Sequence, residues 1–414
     1  MPEQAATGSA LAPIAPVYPF APEHRADPYP VYRTLREGAR VHWSEEQESF
    51  FFTHYEDCLA ILRHPAGSTN MDNASMSARR TMSAHSPMAA MEAKPMLFAD
   101  PPVHTRLRTL VSKAFTPRAV EAMRPHIAEI VDRLLDQAEA NGELDIVADL
   151  AFPLPVIVIA EMLGVPVEDQ DQLKPWSADL ARTIDPVLTE ETVAQAGMSA
   201  LQFINYLNGL IEERRARPKD DLLSGLIAVE DEGERLGHDE LLIMTMLLFV
   251  AGHETTQNLI GNGMLALLRH PEQISRLRDS DDPALAKNAV DEMLRYDSPV
   301  QLTGRHLMED AEFGGTVVPK GYSAITLLAA ANRDPDVFAD PDRFDIERPN
   351  ANRHIGFGQG IHFCLGAPLA RAEAQIAVPA LLRRFPELAL PDRFVPAHRE
   401  TFTLRGLTSL PVAI

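Results

Sequence analysis

The chain has 414 residues, 45% of them hydrophobic, which is ample for a large core, and a formal net charge of −21. Such an acidic balance argues against nucleic acid and anionic membranes as partners. Two cysteines, Cys58 and Cys364, give no disulfide framework and fit a reducing cytoplasm.

No Gly/Ser linker, repeat or low-complexity block divides the chain, so one domain over 1–414 is expected. Residues 1–20, rich in Ala and Pro, lack the basic and apolar regions of a signal peptide and are expected to form a surface arm. A short helix is predicted over 29–37, then strands at 41–43 and 49–55 joined by an acidic turn, Glu45-Glu46-Gln47-Glu48. A further helix carries Leu59, Ile61 and Leu62 and stops at Pro65; Cys58 falls on it and is assigned to packing. Residues 66–96 show no period but hold Met71, Met76, Met82, Met88, Met91 and Met96, six of the fifteen methionines. Methionine suits surfaces that adapt to varied apolar partners, and an incidental loop is the other reading.

Asp100-Pro101-Pro102 starts the next helix, where His104 and Arg108 lie one turn apart. Such a pair suits an anionic group or an ordinary solvated face. Long amphipathic segments follow near 117–140, 149–163, 170–185 and 191–216. Trp176, Leu180, Ile184, Val187 and Leu188 offer an apolar face that could roof a pocket.

A long helix is predicted from Gly237-His238-Asp239-Glu240, with acids in its first turn, to Pro271. About 32 residues at 1.5 Å each span roughly 48 Å. Its apolar run, residues 241–252, falls short of the roughly 20 residues that cross a bilayer, so no membrane association is expected. In its middle stand Ala251-Gly252-His253-Glu254-Thr255-Thr256. A carboxylate and hydroxyls inside a buried helix cost several kcal/mol unless paired or hydrated, which suggests chemistry. Thr255 is placed to bond the Ala251 carbonyl, opening the helix into a polar notch. Gly252 removes bulk beside that notch.

Glu292 and Arg295 stand at i, i+3, where they can pair. Val300 and Leu302 precede Arg305. A β-hairpin is expected within 312–331, turning at Gly314-Gly315. Phe402, near a possible hairpin tip, is either a pocket or a core residue, and Leu247 is a pocket candidate on the long helix. The stretch Phe357-Gly358-Gln359-Gly360-Ile361-His362-Phe363-Cys364-Leu365-Gly366 opens a helix pattern, with Pro368 in its first turn. Cys364 is thus expected at a helix N-terminus, which favours thiolate over thiol and suits an axial metal ligand. A buried, inert cysteine is the plain alternative.

That ten-residue stretch resembles the heme-binding loop of the cytochrome P-450 family, Phe-x-x-Gly-x-His/Arg-x-Cys-x-Gly, matched at Phe357, Gly360, His362, Cys364 and Gly366. Ala251 to Thr256 resembles the family's Ala/Gly-Gly-x-Asp/Glu-Thr-Thr/Ser pattern at every position. The resemblance runs nearly the whole chain in order and implies a mainly α prism with small β-sheets, a long central distal helix and a proximal cysteine loop. It implies heme b (iron protoporphyrin IX) ligated by Cys364, whose thiolate donates electron density to the iron. Phe357 and Gly366 then shape the loop, and His104, Arg108, Arg305 and His362 bind the propionates. It implies that dioxygen binds in the Ala251–Gly252 notch, that Thr255 and Glu254 handle protons, and that Glu292, Arg295 and Arg343 (from Pro341-Asp342-Arg343-Phe344) form a structural triad. Residues 66–96 become the loop over the distal pocket.

The implied activity is dioxygen-dependent hydroxylation or epoxidation of an apolar small molecule. Electrons would come from a separate ferredoxin or flavodoxin with its NAD(P)H-dependent reductase. Arg106, Lys113, Arg118, Arg353 and Arg371 are candidates for the basic docking patch an acidic carrier needs. The alternatives are a heme-thiolate peroxygenase, an isomerase or reductase on the same fold, and a heme gas sensor. None of these needs the Glu254–Thr255 pair.

Overall fold

A computed structural model describes residues 12–13, 18–73, 93–112, 115–231 and 236–414. The strands are β1 (Ala12–Pro13), β2 (Val41–Ser44), β3 (Ser49–Phe52), β4 (Gly67–Ser68), β5 (Leu144–Asp145), β6 (Thr303–Leu307), β7 (Ala311–Phe313), β8 (Thr316–Val318), β9 (Ser323–Thr326) and β10 (Pro411–Val412). The helices are α1 (Tyr29–Gly38), α2 (Tyr55–Arg63), α3 (Val103–Ser112), α4 (Pro117–Asn141), α5 (Pro153–Met162), α6 (Gln170–Ala181), α7 (Glu190–Ala216), α8 (Leu222–Asp231), α9 (His238–Leu268), α10 (Pro271–Arg278), α11 (Pro283–Tyr296), α12 (Leu328–Ala331) and α13 (Ala367–Arg384). The fold is mainly helical with small sheets.

α9 is the axis. It has 31 residues, about 46 Å at 1.5 Å per residue, and touches α5, α6, α7, α11 and α13. Residues of every face are buried along it, so its near-uniform hydrophobicity reflects a position inside the helical body. At its start the Gly237 amide donates to Glu240 Oε2 at 2.9 Å, satisfying one orphan donor of the first turn. The largest core cluster joins residues of α4, α5, α9, α11 and α13.

The main sheet has the order β1-β2-β3-β9-β6-β4. β2 and β3 are antiparallel, with Val41 opposite Phe52, whereas β3 and β9 are parallel, with Phe50 opposite Ala324. All four residues of β3 are buried. Phe50 and Phe52 pack into one core cluster and Phe51 into another, so this central strand is covered on both faces. The expected hairpin is β7–β8, turning at Gly314 and Gly315. Both have positive φ, as a two-residue turn compatible with strand twist requires. Of the N-terminal arm, β1 adds an edge strand to β2 and Phe20 is buried against Phe51, so these parts are built into the fold. Cys58 is buried and donates to the Phe52 carbonyl.

Candidate active site

Thr255 lies midway along α9, and its hydroxyl donates to the Ala251 carbonyl at 3.1 Å. The helix stays α-helical through this point, so side chains rather than a broken backbone make the polar spot. Ala251 is exposed, and Gly252 and Thr255 are partly so, on a helix otherwise nearly all buried. This accessible window opens where the sequence turns polar. Gly252 also packs closely against α5. A Cβ there would sit 2.9 Å from Ile159 Cγ1 on α5, so its missing side chain lets α5 press against α9.

Glu254 is buried, and its Oε2 accepts from Arg399 Nη1 at 2.6 Å. The pair offsets what would be an expensive lone buried charge. Arg399 is partly exposed and comes from the C-terminal segment. Its sequence neighbourhood carries no motif, so sequence reading misses it.

The cysteine loop follows from its glycines. Gly360 has φ +74°, and a Cβ there would lie 2.4 Å from the Leu62 carbonyl at the end of α2. The loop therefore rests flat on α2. The Cys364 amide donates to the Phe357 carbonyl at 2.9 Å. The Phe357 ring packs on His354 and under the Arg371 guanidinium, 4.6 Å away. Gly366 is the residue before α13. Burial pushes the Cys364 thiol up, while the Gly366 and Ala367 amides and the Arg108 guanidinium act the other way. A metal cation held there would favour the thiolate, since coordination deprotonates a thiol outright.

Four predicted residues meet beside the loop. The His104 and His362 rings are 4.3 Å apart, and His362 Nε2 lies 3.2 Å from Thr69 Oγ1. Arg108 Nη2 donates to the Phe363 carbonyl at 2.7 Å, and Arg305 Nη1 to the Gly304 carbonyl at 2.7 Å. Burial drags Arg305 down to about 10, with Asp100 opposing. Burial, then Arg305 and His104, push His362 down to about 3. His104 Nε2 is buried with no hydrogen-bond partner among the described residues. A desolvated, electropositive cluster with an orphaned polar atom is built to receive an anion. The residues fit a prosthetic group that carries carboxylates at one edge and a metal above Cys364.

The triad needs one correction. Arg295 Nε and Nη2 donate to Glu292 at 2.6 and 2.9 Å. The third member is Arg348, whose Nε lies 3.1 Å from both Glu292 oxygens. Arg343 gives only its backbone to the network: its carbonyl accepts from Arg295 and Arg348. Its side chain is exposed and faces Asp345 at 3.7 Å. Both arginines sit in one irregular stretch, and only Arg348 is buried. Nothing in the short Pro341–Phe344 motif distinguishes them.

The pocket candidates divide. Leu247 is partly buried against the main core, and Val300 bridges to Leu404. Leu302 and Phe402 belong to the core cluster of Phe20, Tyr29 and Phe51, with Arg25 over the Phe402 ring at 4.6 Å. Phe402 is thus a packing residue. Of the basic candidates, Arg118 is exposed, but Arg106 pairs with Glu240. Arg371 pairs with Asp291 at 2.8 Å, and Arg353 lies over Tyr55. Lys113 and most of the methionine-rich segment (Met76, Met82, Met88, Met91) lie outside the described residues. Met96 is buried in the main core.

Residues 48–409 match the family model described as Cytochrome P450. The chain is 43% identical over 417 residues to Cytochrome P450 monooxygenase PikC of Streptomyces venezuelae, covering 98% of this chain and 95% of that protein. It is 42% identical over 396 residues to Vitamin D(3) 25-hydroxylase of Pseudonocardia autotrophica, covering 94% of each. Among solved structures, ligand-free CYP164A2 of Mycobacterium smegmatis aligns with a TM-score of 0.88 at 42% identity, covering 96% of this chain and 98% of that one. The cysteine loop, the polar window of α9 and these likenesses agree: the chain belongs to the cytochrome P450 family and is a heme-thiolate monooxygenase.

Proposed function

We propose that this monooxygenase hydroxylates or epoxidises an apolar small molecule, with electrons from a separate ferredoxin or flavodoxin and its NAD(P)H-dependent reductase. The observation that carries this reading is the buried Glu254 beside Thr255, at the accessible window midway along α9. Oxygen activation needs protons delivered into an otherwise dry site, and an acid next to an alcohol supplies them. Bound heme would supply the oxidising chemistry. Cys364 would hold its iron, with His104, Arg108, Arg305 and His362 taking the propionates. Thr255 would orient the proton donor and Glu254 would replenish it from the solvent side, where Arg399 is partly exposed. A hydroxylase of vitamin D(3) among the relatives supports a bulky apolar substrate. The test is a screen of steroids, terpenoids, macrolides and fatty acids for the low-spin to high-spin Soret shift, then product analysis. Binders converted to products with one added oxygen are expected. Binders that are never oxidised under reducing turnover would point to a sensor instead.

A further inference from the structure

Asp291 and Glu292 are neighbours on α11, yet their side chains serve different segments. Glu292 holds Arg295 and Arg348, whereas Asp291 meets α13 and the approach to the cysteine loop. Asp291 is buried, and its Oδ1 accepts from Arg371 Nε of α13 at 2.8 Å. His354 Nε2, just before the loop, lies 3.3 Å from the same oxygen. The Gly356 amide donates to His354 Nδ1 at 3.1 Å. Burial, with Asp291 opposing, holds the charged form of His354 down. Nε2 of the neutral ring therefore carries the hydrogen and gives it to Asp291. Arg371 Nη2 lies 3.3 Å from that Nε2. Two donors thus stand side by side, and the shared carboxylate is what reconciles them. Both groups pack on Phe357, whose ring centroid is 5.6 Å from that of His354 and 4.6 Å from the Arg371 guanidinium. The Phe357 carbonyl in turn receives the Cys364 amide at 2.9 Å. The Arg371 charge reaches Cys364 as well, where it favours the thiolate.

We infer that Asp291 is a positioning residue for the cysteine loop: by accepting from Arg371 and His354 together, it pins the guanidinium against Phe357, where its charge raises the reduction potential of iron held by Cys364. The inference rests on Cys364 being the heme ligand. A nearby cation favours the reduced metal, which carries one positive charge fewer. Groups that orient a metal's ligands, and hydrogen bonding and burial around them, are the protein's levers on that potential. The Arg371 side chain is 24% exposed. Without its acceptor it is free to turn to water, where its charge is screened.

The test is a reductive titration of the holoenzyme that reads the midpoint potential of the heme. Asp291→Ala removes the acceptor. It should lower the ratio of ferrous to ferric heme at a fixed potential about tenfold, which is 59 mV for a one-electron couple. Arg371→Gln removes the charge itself and should lower the ratio at least as far. Asp291→Asn keeps an acceptor in the same place and should recover most of the loss. The sign separates the roles. A carboxylate acting only through its own charge gives a raised potential in both Asp291 variants, and one acting only in folding leaves the potential of the heme-bound fraction unmoved. Either result overturns the inference. If Asp291→Ala yields no holoprotein, Arg371→Lys decides, since it keeps the charge but not the fork that Asp291 holds. A fall toward the Arg371→Gln value supports the inference and a wild-type value overturns it. The reduced carbon monoxide complex of the wild type is the control. Absence of the red-shifted Soret band of thiolate ligation defeats the assignment of Cys364 and this inference with it, whereas a normal band with unmoved potentials defeats only the inference.

Discussion

In the proposed relay, Thr255 and Glu254 divide one job between two kinds of side chain. The hydroxyl is tied to the Ala251 carbonyl and sits at the accessible window. The carboxylate is buried and paired with Arg399. Neither is placed to hold the prosthetic group, so both can be changed without emptying the site. In Thr255→Ala, heme content and the substrate-induced spin shift should persist while product per NAD(P)H falls and hydrogen peroxide rises. In Glu254→Gln, turnover should slow and its solvent isotope effect grow. General acid–base steps contribute about 10²–10⁴-fold, so peroxide and product assays should resolve both defects. Normal coupling in the first variant together with normal turnover in the second would leave these residues a structural role. Motif spacing made both legible, because burying polar groups inside an apolar helix is costly and marks the helix where it happens. Arg399 was not legible, since its partner lies 145 residues away in the chain.

At the scale of elements, α11 and the irregular stretch before the cysteine loop are joined by one buried network. Glu292 and Arg295 are fully buried, and Arg348 completes the carboxylate's coordination. Removing one partner strands a charge at about 3–5 kcal/mol. Arg348→Ala should therefore melt early and lose heme, whereas Arg343→Ala should match the wild type in heme content and melting temperature. The reverse result would restore Arg343 to the triad. Sequence reading stops at this pair of arginines for a physical reason. Periodicity and proline punctuation located α9 and α13 because burial of a whole face leaves a mark on many residues. Which of two arginines five positions apart turns inward depends on the path of a loop, and no local pattern records that. Phe402 shows the same limit: an aromatic near a hairpin tip is compatible with pocket or core until its neighbours are known.

For the molecule as a whole, the acidic surface is set against a few buried carboxyls that dislike their charge. Glu373 on α13 is fully buried, its Oε2 has no partner among the described residues, and burial pushes its carboxyl well above the usual range. The folded state then keeps a proton that the unfolded chain has released. Stability from this group is full below the unfolded value of about 4.3 and is lost as pH rises toward the folded value. Glu373→Gln should flatten that decline, raising the melting temperature at pH 8 with little change at pH 5. An equal shift at both values would show that the carboxyl is paired in solution. No helix of the described residues is long and apolar enough to cross a membrane.

The most direct test of oxygen activation supplies purified holoenzyme with a surrogate ferredoxin and reductase, NADPH, a substrate found by spin shift, and isotopically heavy dioxygen in ordinary water. Monooxygenation places one heavy oxygen atom in each product molecule, and product vanishes without dioxygen. Product that forms in its absence, or that carries oxygen from water alone, would contradict the assignment of Thr255 and Glu254 to oxygen activation.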